Sequence, residues 1–222
     1  MQRIFDIIFS LLAIIFFLPL FIIISLILKM TGEGEILFFQ KRVGKNSEPF
    51  YVWKFVTMVK NSPNIGTGTL TISDDPRILP FGKILRKSKI NELPQLFNIL
   101  KGDMSIIGPR PITFDTYENY STSSRSSIYS NKPGLSGIGS VVFRNEESFL
   151  KDLDSRSLYS SLIGPYKEDL EIWYHNNKSI SLYFFLIIAT IWVLIRPESK
   201  ILWSVYKSIP EPKNELKELM GL

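Results

Sequence analysis

The sequence predicts a small α+β domain held at a membrane, on three observations. An uncharged run of 22 residues separates Asp6 from Lys29. Two short runs of mixed apolar, aromatic and basic residues follow, with a Gly44-Lys45-Asn46 turn between them. Later segments carry helical patterns, some apolar or basic enough to lie at a lipid surface. At 222 residues there is room for one compact domain and an appendage, and we divide the chain into 1–30 and 31–222.

The first run, IIFSLLAIIFFLPLFIIISLIL, would extend roughly 33 Å as a helix, the thickness of the hydrocarbon core. It is longer than the apolar part of a secretory leader, and no small-x-small cleavage site follows in KMTGEG, so we expect it to stay in lipid. Pro19 near its middle removes a backbone donor and crowds the preceding turn, which predicts a bend there. Arg3 precedes the run and Lys29, Lys41 and Arg42 follow it, so charge pulls both flanks to the cytoplasmic side. A single kinked span and a hairpin re-entering the same face fit those charges equally.

ILFFQKRVG and PFYVWKFVTM predict two strands, and NSPNIGTGTLT at 61–71 a surface loop. Ser73-Asp74-Asp75-Pro76 predicts a helix start. In the RILPFGKILRKSK that follows, Lys83, Ile84, Leu85, Arg86, Lys87 and Lys89 divide into apolar and basic faces of an interfacial amphipathic helix. After Pro111, the Ser/Thr-rich stretch up to the Lys132-Pro133-Gly134 turn predicts a loop. A helix over 157–176 would place Tyr166, Leu170, Trp173 and Tyr174 in the core. The 17 uncharged residues between Lys178 and Arg196 span only about 26 Å as a helix, short for a crossing, so we expect a buried or membrane-dipping element. The tail, EPKNELKELMGL, predicts a short amphipathic helix or a frayed end.

A single His and no Cys leave no thiolate metal site, disulfide framework or cysteine nucleophile, and any metal would take hard oxygen ligands. A net charge of +5 with pI near 9.3 suits anionic partners. Nucleic acid is set aside among them, since there is no helix-turn-helix, RNA-recognition signature or long Lys/Arg block.

The most informative stretch is RKSKINELPQLFNILKGDMSIIGPRP, from Arg86 to Pro111. It sets Glu92 among cations and turn-formers and ends with Arg110 fixed between two prolines, a composition for handling phosphate. This stretch resembles the signature of bacterial sugar transferases, the monotopic phosphoglycosyl transferases, and QKRVGKN and YVWKFVTM resemble two further segments of that family in the right order. The resemblance implies a re-entrant helix-break-helix with proline at the break, here Pro19. It implies transfer of a sugar-1-phosphate from a UDP-sugar to polyprenyl (undecaprenyl) phosphate at the cytoplasmic face of the bacterial inner membrane, beginning a surface glycan. Arg42, Lys54, Arg86 and Arg110 become phosphate ligands, and Arg144 in VFRNEE a ligand for the nucleotide end. Membrane lipid is a further partner, and self-association into a homo-oligomer stays open.

One position departs from the family. Where relatives read Asp-Glu, with the Asp as nucleophile and neighbour of Mg2+, this chain reads Asn91-Glu92, and an amide is neither anionic nor a useful nucleophile. Three readings follow: an engineered, inactivating change; a natural variant in which Glu92 is the nucleophile; or a chain that binds nucleotide sugar at the membrane without turnover. Val56 in KFVTM and the GIGSVVF run are milder departures, expected to bear on which sugar nucleotide is accepted.

Overall fold

The computed structural model describes residues 1–31, 33–65, 75–144, 159–196 and 199–220. It is a mixed helix and sheet structure. Helix α1 (Gln2–Thr31) leads into an antiparallel hairpin, β1 (Leu37–Val43) and β2 (Pro49–Phe55). Helices α2 (Pro80–Lys87) and α3 (Gln95–Lys101) follow, then strand β3 (Ser105–Ile107). Short helices α4 (Phe114–Glu118) and α5 (Thr122–Tyr129) precede strand β4 (Gly134–Ser136), which pairs in parallel with β3. The remainder is helical: α6 (Ile138–Val142), α7 (Gly164–Asn177), α8 (Ile180–Ile195), α9 (Ile201–Val205) and α10 (Asn214–Met220).

α1 is long and apolar enough to cross a membrane by length and composition. Its inward stripe, Arg3, Asp6, Ser10, Ala13, Phe17, Leu20, Ile24 and Ile27, repeats every seven residues along the whole helix, while Ile8, Leu12, Ile15, Ile22 and Leu26 are exposed. Both ends of that stripe touch the body. At the start, Asp6 is 2% exposed and its carboxylate accepts hydrogen bonds from Ser105 Oγ, the Ile106 amide and Tyr183 Oη. Arg3 donates to the Ile99 and Leu100 carbonyls, capping the negative end of α3. At the other end, Ile24 and Leu28 pack with Phe55 and Leu85, against Ile90 and Leu93.

The expected break at Pro19 does not interrupt α1, which is assigned as helix on both sides of it. Pro19 lies on the exposed side, where its ring meets no packed neighbour and the helix gives up one backbone hydrogen bond.

The two predicted strands form, and the turn between them closes through Gly44, whose amide donates to the Glu48 carbonyl. Asn98 fixes this hairpin to α3. It is 1% exposed, its Oδ1 accepts from the Trp53 amide and its Nδ2 donates to the Tyr51 carbonyl, so one side chain stands in for a neighbouring strand. Asn98→Ala is expected to cost about 2–4 kcal/mol by leaving both backbone groups unpaired in the interior, readable as a lower denaturation midpoint in detergent.

Three expectations need correction. The helix does not start at Asp75: that carboxylate is taken by the amide and guanidinium of Arg77, and helix begins at Pro80, whose fixed φ suits the first turn. Residues 73–74, like most of the loop expected at 61–71, lie outside the described residues. Lys89 falls past the end of α2 in the left-handed region, with φ 59°. The Ser/Thr-rich stretch is α4 and α5 instead of loop, because Thr113 and Ser121 cap them through the Thr116 and Ser124 amides and Ile128 and Tyr129 supply a buried face.

The predicted core residues Tyr166, Leu170, Trp173 and Tyr174 are all buried on α7. The segment from 180 to 195 is a helix packed on the body through Leu182, Tyr183, Leu186, Ala189 and Val193, with Ile188, Ile191 and Ile195 exposed. α10 is the expected tail helix, anchored by Leu216.

Candidate active site

The site forms where the hairpin, the turn before α3 and the loop after β3 meet. In the β1–β2 register Phe38 lies opposite Lys54 and Arg42 opposite Phe50, so Arg42 and Lys54 share one face. Asn98 brings that face against the short 3-10 turn Ile90–Glu92. Pro111 and Arg110 arrive on the loop after β3, which runs against the Lys132–Gly134 turn with no spare room. A Cβ on Gly108 would stand 2.3 Å from the Lys132 carbonyl oxygen, and one on Gly134 would stand 2.2 Å from the Gly108 nitrogen.

Glu92 is the meeting point. Its Oε1 lies 3.3 Å from Lys54 Nζ and 3.6 Å from Arg110 Nη2, and its side chain is 14% exposed. Arg42 stands beside them, donating through Nε and Nη2 to Gln40 Oε1 and through Nη1 to the Pro111 carbonyl. Burial alone would raise the Glu92 pKa, but Lys54, Arg110 and Lys89 outweigh it and hold the carboxyl at about 2. Lys54 moves down to about 8, first by burial and then by Arg110 and Arg42, against the pull of Glu92. Arg42 is lowered to about 10 by burial and by Arg110. The cations thus disfavour one another even with a carboxylate among them, which marks a site of positive potential suited to an anion.

These residues line a cavity of about 880 Å³. Arg86 and Asn91 line it too, and so do Val56 and, from GIGSVVF, Gly139. Arg144 does not line it; it is half-buried in the turn after α6, and residues 145–158 lie outside the described residues. Of the site residues predicted from sequence, Arg42, Lys54, Arg86, Asn91, Glu92 and Arg110 are therefore brought to one cavity, and Pro19 sits on α1 apart from it. Glu171 of α7, with Tyr159 and Lys167, also lines the cavity and was not anticipated.

Asn91 is 6% exposed, and its Oδ1 is buried with no hydrogen-bond partner among the described residues. Among the described residues, no group of three His, Asp or Glu side chains could by itself enclose a metal ion. Magnesium is commonly held by one or two protein oxygens with the rest from phosphate and water, and Asn91 Oδ1 with Glu92 fits that sparse arrangement.

A sequence profile of bacterial sugar transferases matches residues 1–197. The exopolysaccharide production protein ExoY of Sinorhizobium fredii is 35% identical over 162 residues, covering 67% of this chain and 71% of its own length. The UDP-N-acetylgalactosamine-undecaprenyl-phosphate N-acetylgalactosaminephosphotransferase of Aeromonas hydrophila is 33% identical over 188 residues, covering 84% of this chain and 41% of its own. The UDP-glucose:undecaprenyl-phosphate glucose-1-phosphate transferase of Klebsiella pneumoniae is 33% identical over 177 residues, covering 78% and 37%. Together with a cavity whose cations gather round one acidic side chain, these matches establish that the chain belongs to the bacterial sugar transferase family of phosphoglycosyl transferases.

Proposed function

We propose that the chain transfers a sugar-1-phosphate from a UDP-sugar to undecaprenyl phosphate at the cytoplasmic face of the bacterial inner membrane, the opening step of a surface polysaccharide. The observation that carries this reading is the convergence of Lys54, Arg110 and Arg42 on Glu92 in one cavity. A diphosphate entering there gives Lys54 and Arg110 new oxygens to hold, and their release uncovers the Glu92 carboxylate. A Glu92 oxygen then attacks the phosphorus that bears the sugar, and the P–O bond to uridine monophosphate breaks with its electron pair on the leaving phosphate. A phosphate oxygen of the lipid attacks the same phosphorus next, and the acyl phosphate bond breaks to restore the carboxylate. Asn91 Oδ1 and Glu92 would hold Mg2+ beside the diphosphate, and the ion would supply positive charge to offset the charge that develops on the leaving phosphate.

The membrane element serves this chemistry because it is fastened to the site. α1 reaches β3 and α3 at one end and the 90–93 turn at the other. A helix crossing to the far leaflet would carry one of those ends away from the body, so contact at both ends supports a re-entrant 1–30 unit, bent at Pro19, with 31–222 on a single face. The exposed apolar residues of α1 and α8 then meet lipid, with α2 at the headgroups.

The inactive-binder reading is favoured by one feature, the neutral Asn91 in the nucleophile position. Asn91→Asp separates the two. Uridine monophosphate release from a panel of UDP-sugars, with undecaprenyl phosphate and Mg2+ present, is expected from the natural chain and to change less than about tenfold in the variant. Turnover confined to the variant would establish Asn91 as disabling.

A further inference from the structure

Glu171 is a further carboxyl in the cavity, which Glu33, Glu35 and Asp115 also line, and the transfer chemistry makes no use of it. It is 6% exposed on α7, between the core residues Leu170 and Trp173. The backbone amides of Arg110 and Gly139 lie close enough to its carboxyl to favour the charged form. Oε1 sits so close to Gly139 that a Cβ there would stand 2.8 Å from it, so this acid occupies space that only glycine leaves free. Oε2 is buried and has no hydrogen-bond partner among the described residues. A polar atom in that condition is costly unless a ligand completes it.

The ligand's place follows from Arg110. Arg110 lies beside both carboxyls, its guanidinium 3.6 Å from Glu92, and both line the one cavity, so a ligand held by the cations around Glu92 occupies the space that Glu171 faces. We propose, resting on the transferase reading, that Glu171 recognises carbohydrate: Oε2 forms a hydrogen bond with one hydroxyl of the UDP-sugar, on the hexose or on the ribose, while the same carboxyl steadies the Arg110 loop. A phosphate oxygen cannot donate to the carboxylate form, and the cations around Glu92 already serve it. A hydroxyl both donates and accepts, so it satisfies this carboxyl in either protonation state. That matters because burial raises the Glu171 pKa to about 8, despite the Arg110 and Gly139 amides and the nearby charge of Lys167.

The test is calorimetric binding, without lipid acceptor, of UDP-glucose, UDP-galactose, UDP-N-acetylgalactosamine, UDP and analogues each lacking one hexose or ribose hydroxyl. Glu171→Ala removes the carboxyl, and Glu171→Met fills the same space without polar atoms; melting curves identify which variant stays folded. We expect the wild-type chain to bind one deoxy analogue about tenfold or more weakly than its parent, and the folded variant to bind the two alike. The position of the missing hydroxyl then assigns the contact to hexose or ribose. An equal penalty for every analogue in wild type and variant overturns the proposal. Failure of wild type to bind any UDP-sugar sinks the transferase reading instead, so the two ideas fail separately.

Discussion

Glu92→Gln is expected to reduce sugar-phosphate transfer on the order of 10³-fold or more while leaving UDP-sugar binding intact. The amide keeps the shape of the side chain and an oxygen for Lys54, but it removes the nucleophile and one negative charge from a cluster that is already positive. Binding of an anionic donor is therefore expected to hold or tighten, which distinguishes lost chemistry from lost fold. A carboxyl held at about 2 is fully ionised at neutral pH and weakly basic. Weak basicity is tolerable here, because phosphoryl transfer passes through a loose transition state that asks little of the attacking oxygen. The same pairing stabilises the fold at pH values above the ordinary 4.5 of a Glu and is lost as the pH falls through about 2, a dependence the Gln variant lacks. Denaturation midpoints across acid pH read that difference, and uridine monophosphate release with labelled UDP-sugar reads the transfer. Full activity in the variant would remove Glu92 from the mechanism.

The acid–cation cluster was legible in sequence because its members lie in short segments with strong local signals: prolines on both sides of Arg110, a turn between two strand patterns, and Glu92 ahead of Leu93-Pro94. Their meeting was not derivable from pattern alone. It depends on a register that puts Arg42 and Lys54 on one face and on Asn98 holding the hairpin to α3, and an Asn inside an apolar helix does not announce which backbone it will bind. Glu171 was missed for a different reason. It stands four residues after Lys167, and such a pair normally marks a solvated helix face. Only the packing of α6 over that face, with Gly139 opposite, turns it inward. Serine favours turns, so the sequence of α5 predicts loop, but the same chemistry makes Ser121 a helix cap once Ile128 and Tyr129 have a core to enter. α1 was legible as a helix long and apolar enough to cross a membrane, whereas its buried Asp6 gains meaning only from Ser105 and Tyr183, which lie far along the chain.

Lys54→Ala is expected to lower kcat/KM for the UDP-sugar by about 10²–10³-fold, and the natural chain is expected to lose kcat/KM as the pH rises through about 8. Lys54 needs its proton to hold a phosphate oxygen. Burial and the neighbouring Arg110 and Arg42 bring its pKa down from the ordinary 10.5, so deprotonation begins just above neutral pH. The effect belongs to the free protein and so to kcat/KM: a bound diphosphate adds negative charge beside the ammonium and raises its pKa, which flattens the kcat profile over the same range. Stability responds with the opposite sense. As the pH falls from 10.5 to 8 the unfolded chain takes up a proton that the folded one refuses, so folding is penalised on the way down and by a constant amount below 8. Lys54→Arg separates charge from geometry, because a guanidinium stays protonated across this range. The expected result is a lower plateau, since the planar fork does not reproduce the position of the ammonium, together with loss of the alkaline limb near 8. Retention of that limb in the Arg variant would assign it to another group and leave Lys54 as a fixed positive charge.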